Sequence, residues 1–267
     1  MTTQKSWLKK PGPACPQVLA LQVPRGLVAG IGSLNKFGRN PDVDTGSDPE
    51  DVWDGGGLWR APTVAQTHDI ASTSCADLSG SGTGAHTVYI AGLDANFNAV
   101  FEPITMNGTS NVATANTYLR IFRMYVVTGG SAGANVGDIT ATGQTDATVT
   151  AQINADNGQT LMAIYTVPAG KKLYLTGWHS GINRQGGVGG AMADFQLMTR
   201  DASISNPQWR VRRHLGLVAE GGNPQTQHSD PFIGIPEKHD ILVRCTSVTD
   251  NNTDVYGGFD GYLVDTP

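Results

Sequence analysis

Six carboxylates fall close together at Asp42, Asp44, Asp48, Glu50, Asp51 and Asp54, with Gly46 inside the run. Oxygen ligands so spaced suit a hard cation, because Ca²⁺ takes about six to eight of them. Asp42, Asp44 and Asp48 are the calcium candidates. The match to an EF-hand loop is poor: counted from Asp42, Gly stands at the fifth position instead of the sixth, and no Glu follows at the twelfth. A solvated or partner-facing acidic turn is the preferred reading, and no cofactor is expected.

Arg210, Arg212 and Arg213, with Arg200 upstream, form the densest basic group. On an extended strand Arg210, Arg212 and His214 share one face while Trp209, Val211 and Arg213 share the other. That predicts a cationic patch, and pairing with acidic groups of another subunit is preferred for it because Arg is favoured at interfaces. A sugar site needs an exposed aromatic platform beside Asn, Asp or Arg, and Trp178 with His179, Asn183 and Arg184 is the best placed, although burial is the commoner fate of such a Trp. The six histidines are scattered with no HxH or HExxH pair, and no GxSxG elbow or phosphate-binding glycine loop occurs. No close pair of carboxylates can be nominated for glycoside hydrolysis. The chain is therefore read as non-enzymatic.

The elements that must carry these side chains are β-strands. Only 15% of the 267 residues are charged and Gly supplies 34, which argues against a charge-rich helical bundle. A net charge of −5 gives no overall attraction to nucleic acid or to an anionic membrane, so neither is expected as a partner. No apolar run nears the roughly 20 residues of a membrane span, and no secretory leader is evident at the start. Cys15, Cys75 and Cys245 are too few and too dispersed for a disulfide framework and read as reduced thiols.

Residues 1–63 are dense in Pro and Gly and read as an extended docking arm ahead of a β body over 64–267, with a sub-boundary near 143–147. The arm is apolar all the same. Trp7, Leu27, Ile31, Phe37, Trp53 and Trp59 must leave water, either against the chain's own body or against another subunit, and they are the interface candidates. Beyond Val64, short Thr- and Val-rich runs such as His86–Leu93, Val100–Met106, Lys171–Ile182 and His239–Ser247 are bounded by Gly, Asn and Asp, which predicts about a dozen antiparallel strands. Tyr118–Thr128 could be a short helix by its apolar content, and its flanking Gly favours a strand. No βαβ rhythm appears. The fold class is all-β, an antiparallel jelly-roll or β-sandwich body.

The stretches Met162-Ala163-Ile164-Tyr165-Thr166-Val167-Pro168-Ala169-Gly170-Lys171-Lys172-Leu173-Tyr174-Leu175, His239-Asp240-Ile241-Leu242-Val243-Arg244 and Gly257-Gly258-Phe259-Asp260-Gly261-Tyr262-Leu263-Val264 resemble the jelly-roll structural proteins of tailed-bacteriophage virions. Gly84–Asp94 and Glu102–Gly108 are similar to the same group, so the likeness runs from Val64 onward. It rests on texture and turn placement. The resemblance implies a virion structural protein, made in the host cytoplasm, that forms homo-oligomers and binds other virion proteins. Its expected station is the neck or tail, as a fibre-anchoring adaptor or fibre component. A capsid decoration protein and a host-surface glycan-binding module are the alternatives.

Overall fold

A computed structural model describes residues 16–46, 49–184, 190–219 and 225–266. Among them are one short helix, α1 (Pro16–Gln22), and sixteen strands, every pair of which is antiparallel. The strands form four antiparallel sheets, which group into two bodies. The first is closed by both ends of the described chain: β1 (Ile31–Val43), β2 (Glu50–Asp51), then β10 (Ile164–Thr166), β11 (Lys171–Arg184), β12 (Met192–Asp201), β13 (Arg210–Val218), β14 (Gln225–Ile235), β15 (His239–Val248) and β16 (Thr253–Asp265). One of its sheets runs β1-β16-β11-β14 and the other β10-β15-β12-β13, with β2 added to β15. Leu173, Leu175, Trp178, Val255 and Phe259 of the one meet Phe195, Leu197, Ile241 and Val243 of the other in a common core.

The second body lies between β2 and β10 in the chain. It comprises β3 (His68–Ser72), β4 (Ala85–Leu93), β5 (Ala99–Thr105), β6 (Val112–Ala113), β7 (Arg120–Gly129), β8 (Ile139–Gly143) and β9 (Val149–Ile153), in sheets β6-β3-β8-β9 and β5-β4-β7. Ile70, Val88, Ile90, Ile121, Met124 and Ile139 fill it. Its core runs on into Ile164, Met198 and Leu242, which point from β10, β12 and β15 away from the first core. The middle sheet is thus buried on both faces, which accounts for the unbroken apolar run Ile241-Leu242-Val243: Ile241 and Val243 face one core and Leu242 the other.

Two sequence expectations are corrected here. Residues 31–63 are not a detachable arm: β1 pairs with β16 from Ile31↔Val264 to Val43↔Thr253, and Trp53 and Trp59 are each only 5% exposed. The Gly and Pro that suggested an arm have local causes. A Cβ on Gly38 would stand 2.3 Å from the Ala163 nitrogen and 2.4 Å from the Val52 oxygen, so this strand needs glycine for close approach. Pro41 sits where the register slips between Asn40 and Val43, a position at which no ladder bond is lost. The sub-boundary near 143–147 is likewise displaced. Those residues turn the β8–β9 hairpin, closed by Gly143 N–H to Thr148 O and Ala147 N–H to Gly143 O, and the chain passes between bodies at about 64–66 and 160–163 instead. Of Tyr118–Thr128, Arg120 onward is strand, as its flanks favour, in β7, and Tyr118 forms an isolated bridge to Gln66.

Candidate functional site

The joint between the two bodies is built on charge. Arg120 opens β7 in the second body and forks onto Asp240 of β15, with Nε 2.9 Å from Oδ1 and an Nη 3.2 Å from Oδ2. Arg200 of β12 reaches the same carboxylate, Nε to Oδ2 at 2.8 Å, and the Thr166 hydroxyl donates to Oδ1 at 2.6 Å. Asp240 is fully buried. Burial alone would push its carboxyl up; the pull of Arg120, the bonds from it, and Arg200 and Thr166 behind it prevail and hold the group below the ordinary aspartate value.

Aromatic rings layer this network. The Arg200 guanidinium lies 4.4 Å from the Trp209 ring centre and 6.0 Å from that of Trp59, while Arg120 lies 5.8 Å from Trp59 and 5.9 Å from Phe97. Arg244 also lies over Trp209, at 5.7 Å, and forks onto buried Asp51, which accepts the Trp59 backbone N–H at 2.9 Å. Cations so placed gain from the ring quadrupole, most where water is excluded. The network floors a cleft of about 670 Å³ bordered by Asn96, Phe97, Asn206 and Lys238. Phe97, Asn206 and Lys238 have left-handed φ of 64°, 53° and 57°, so the rim turns tightly at three places. Chemically the floor is spent: two guanidiniums share one carboxylate, and what remains is a rigid joint.

The first body's outer edge is β13. Arg210, Arg212 and Arg213 are exposed there, with Val211 50% and Val218 47% exposed beside them. The patch forms, but its faces differ from simple alternation. The register against β12 pairs Arg210 with Thr199 and Arg213 with Leu197, residues of one face, and slips between Leu197 and Met198. That bulge takes up Arg212, which donates from Nε to Thr199 Oγ1 at 2.8 Å, so Arg213 shares the face of Arg210. As the last strand of its sheet β13 also leaves ladder donors and acceptors unpaired along one side. His214 stands 3.7 Å from exposed Asp194.

The remaining sequence candidates scatter. Trp7, Cys15 and Asp48 lie outside the described residues. Leu27 is 61% exposed, Ile31 and Phe37 are half-buried on β1, and Phe37 lies 5.7 Å beneath Arg123. Trp53 and Trp59 are core residues and cannot anchor a partner. The acidic run is pulled apart by the strands that carry it: Asp51 turns in to Arg244, Glu50 accepts from Asn40 and from Gly57 N–H, and exposed Asp44 accepts from Asn252 N–H. No group of three or more His, Cys, Asp or Glu among the described residues is set to hold a metal ion. Trp178 is 1% exposed and donates to Gln227, so it offers no sugar platform. Cys75 and Cys245 are free thiols, and burial pushes that of Cys245 up to about 12.

Sequence reasoning missed the Arg120–Asp240–Arg200 network because its members lie up to 120 residues apart. The usable signal was charge out of place: Arg120 precedes Ile121-Phe122, and Asp240 precedes Ile241-Leu242-Val243, inside runs otherwise apolar. No family model, no curated protein and no solved structure matches the chain.

Proposed function

We propose that the chain is a non-enzymatic structural protein of a tailed-phage virion, working at the neck or tail as a fibre-anchoring adaptor or fibre component. The observation that carries the reading is the strand order of the first body. Set aside β2 and the second body, number the other eight strands along the chain, and one sheet runs first-eighth-third-sixth while the other runs second-seventh-fourth-fifth. Two interlocked Greek keys of this kind make a jelly roll, an architecture used by viral capsid and lectin domains. On this reading the second body fills the connection between the first and second strands and is welded to the barrel by the Asp240 network.

Self-association follows from the charge layout. Edge β13 carries Arg210, Arg212 and Arg213, while the end of β1 and the turn after it expose Asp42 and Asp44. Two arginine edges repel each other, so the complementary contact is head-to-tail, arginine edge on acidic turn, a contact that gives a ring where the rotation closes and an open filament where it does not. Other virion proteins would complete the station. Neither nucleic acid nor membrane insertion enters this account. Sedimentation velocity of the full chain should show a discrete oligomer, and the triple variant Arg210→Glu, Arg212→Glu, Arg213→Glu should associate at least about tenfold more weakly. A wild type that stays monomeric at all concentrations, or a triple variant that sediments with it, contradicts the edge contact.

A further inference from the structure

The outer face of the β5-β4-β7 sheet carries rings that neither core uses. Tyr89 lies 6.2 Å from Phe101 with the two planes 17° apart, and 5.2 Å from Tyr125 at 39°. Phe101 is 51% and Tyr125 38% exposed. The three rings cross the sheet from one edge strand to the other, spaced on the order of one sugar ring. Beyond Tyr125 the segment 157–159 is pinned to β7 by the Tyr125↔Gln159 bridge and by Val126 N–H to Gly158 O at 2.8 Å. Between them lies a groove of about 450 Å³ lined by Arg123, Tyr125, Asn157 and Gln159. Gly158 adopts a left-handed φ of +66° and leaves open space where a side chain would stand.

Arg123 gives the groove its positive charge, and the buried carboxylate bonded to its lining, Asp54, accepts from Asn157 Nδ2 and Leu161 N–H and forms no ion pair with Arg123. Arg123 makes two long hydrogen bonds, to Gln159 Oε1 at 3.5 Å and to the Asn35 carbonyl at 3.3 Å, and forms no ion pair with a carboxylate among the described residues. Lys36, 2% exposed, lies close enough to feel that charge and donates to the Phe122 carbonyl. Burial first, and then Arg123, push the Lys36 ammonium well below its ordinary value. Lys36 thereby yields its charge beside the groove, and half-buried Arg123, with no carboxylate in an ion pair, is the cation that makes an external anion favourable there.

We propose that this face binds an acidic oligosaccharide, a chain of pyranose rings carrying carboxylates. A carboxylate meets the Arg123 guanidinium in its fork geometry. The apolar C–H face of one ring lies on Tyr125 and that of the next on Tyr89 and Phe101, with positive hydrogen edges against the negative ring face. Asn157 and Gln159 take the hydroxyls. The site does not depend on the chain being a virion component or on its assembling through β13.

Calorimetric titration of the full chain with trigalacturonic acid, with α2,8-linked oligosialic acid and with neutral maltotriose tests the assignment. At least one acidic probe should bind saturably, weaken with added salt and exceed maltotriose by about tenfold or more. Arg123→Gln and Tyr125→Ala should each weaken it by about tenfold or more, Arg123→Lys, which keeps the charge and loses the fork, should fall between wild type and Arg123→Gln, and the distant control Phe232→Ala should bind within about threefold of wild type. Melting curves establish that each variant folds, and any one folded site variant suffices for the comparison. The proposal is overturned if neither acid binds saturably, if both site variants bind undiminished, or if maltotriose binds as well as the acids. It also fails if Tyr125→Ala alters sedimentation and not binding, which would give the face to a second copy of the chain.

Discussion

Replacing Asp240 by alanine is expected to cost about 3–5 kcal/mol of stability at neutral pH, the range found when one member of a buried ion pair is removed. The variant leaves Arg120 and Arg200 without their shared carboxylate, at 6% and 18% side-chain exposure, and deprives Thr166 of its acceptor. Because these groups come from β7, β10, β12 and β15, the loss falls on the joint between the bodies and on the middle sheet together. The pH dependence has a defined sign. The native carboxyl is held below the ordinary aspartate value of 3.8, so its stabilisation is present above that value and is lost as pH falls through the native one. The gap between wild type and variant should therefore narrow in acid. Chemical denaturation of both proteins across pH 3–7 measures it, with Asp194→Ala, an exposed group paired only at the surface, as a control expected to change stability by under about 1 kcal/mol. A Asp240→Ala variant within about 1 kcal/mol of wild type would show that the network is not what welds the bodies.

Deleting residues 1–59 is expected to abolish folding outright. The deletion removes β1, the edge strand that covers one side of β16, together with β2 and the side chains of Trp53 and Trp59. Truncating a buried Trp alone costs about 3–5 kcal/mol, and two of them approach the whole stability of a domain, about 5–15 kcal/mol. Removing Trp59 also strips a ring from beside Arg120 and Arg200, and removing Asp51 leaves Arg244 without its carboxylate. A deletion that stops at residue 27 leaves every strand in place and should melt cooperatively. Circular dichroism and thermal melting of the two truncations separate the cases: a folded, cooperative protein lacking 1–59 would mean that the body is self-contained after all.

The contrast between these residues shows what the sequence could and could not reveal. Alternation and turn residues located β4, β5, β7 and β15 within a residue or two, because a half-buried strand writes its period into the chain and Gly or Asn must end it. The same punctuation misled in β1. Gly38 and Pro41 serve a close backbone approach and a bulge there, features that depend on Val52, Ala163 and β16, remote partners that no local window contains. The arginine patch was legible as composition, but its facing was not, since one slipped register position against β12 moves Arg213 across the strand. Trp178 was nominated as a sugar platform and is buried. Tyr89, Phe101 and Tyr125, unremarkable in sequence, come together only when β4 is paired on both sides.

Gold-conjugated antibody raised against the purified chain, imaged by electron microscopy on intact phage particles that encode it, tests the central claim most directly. The account predicts label at one fixed station, the neck or tail, on most particles, with the chain recovered in the particle fraction by mass spectrometry. Unlabelled particles, with the chain found only in the soluble lysate, would contradict it.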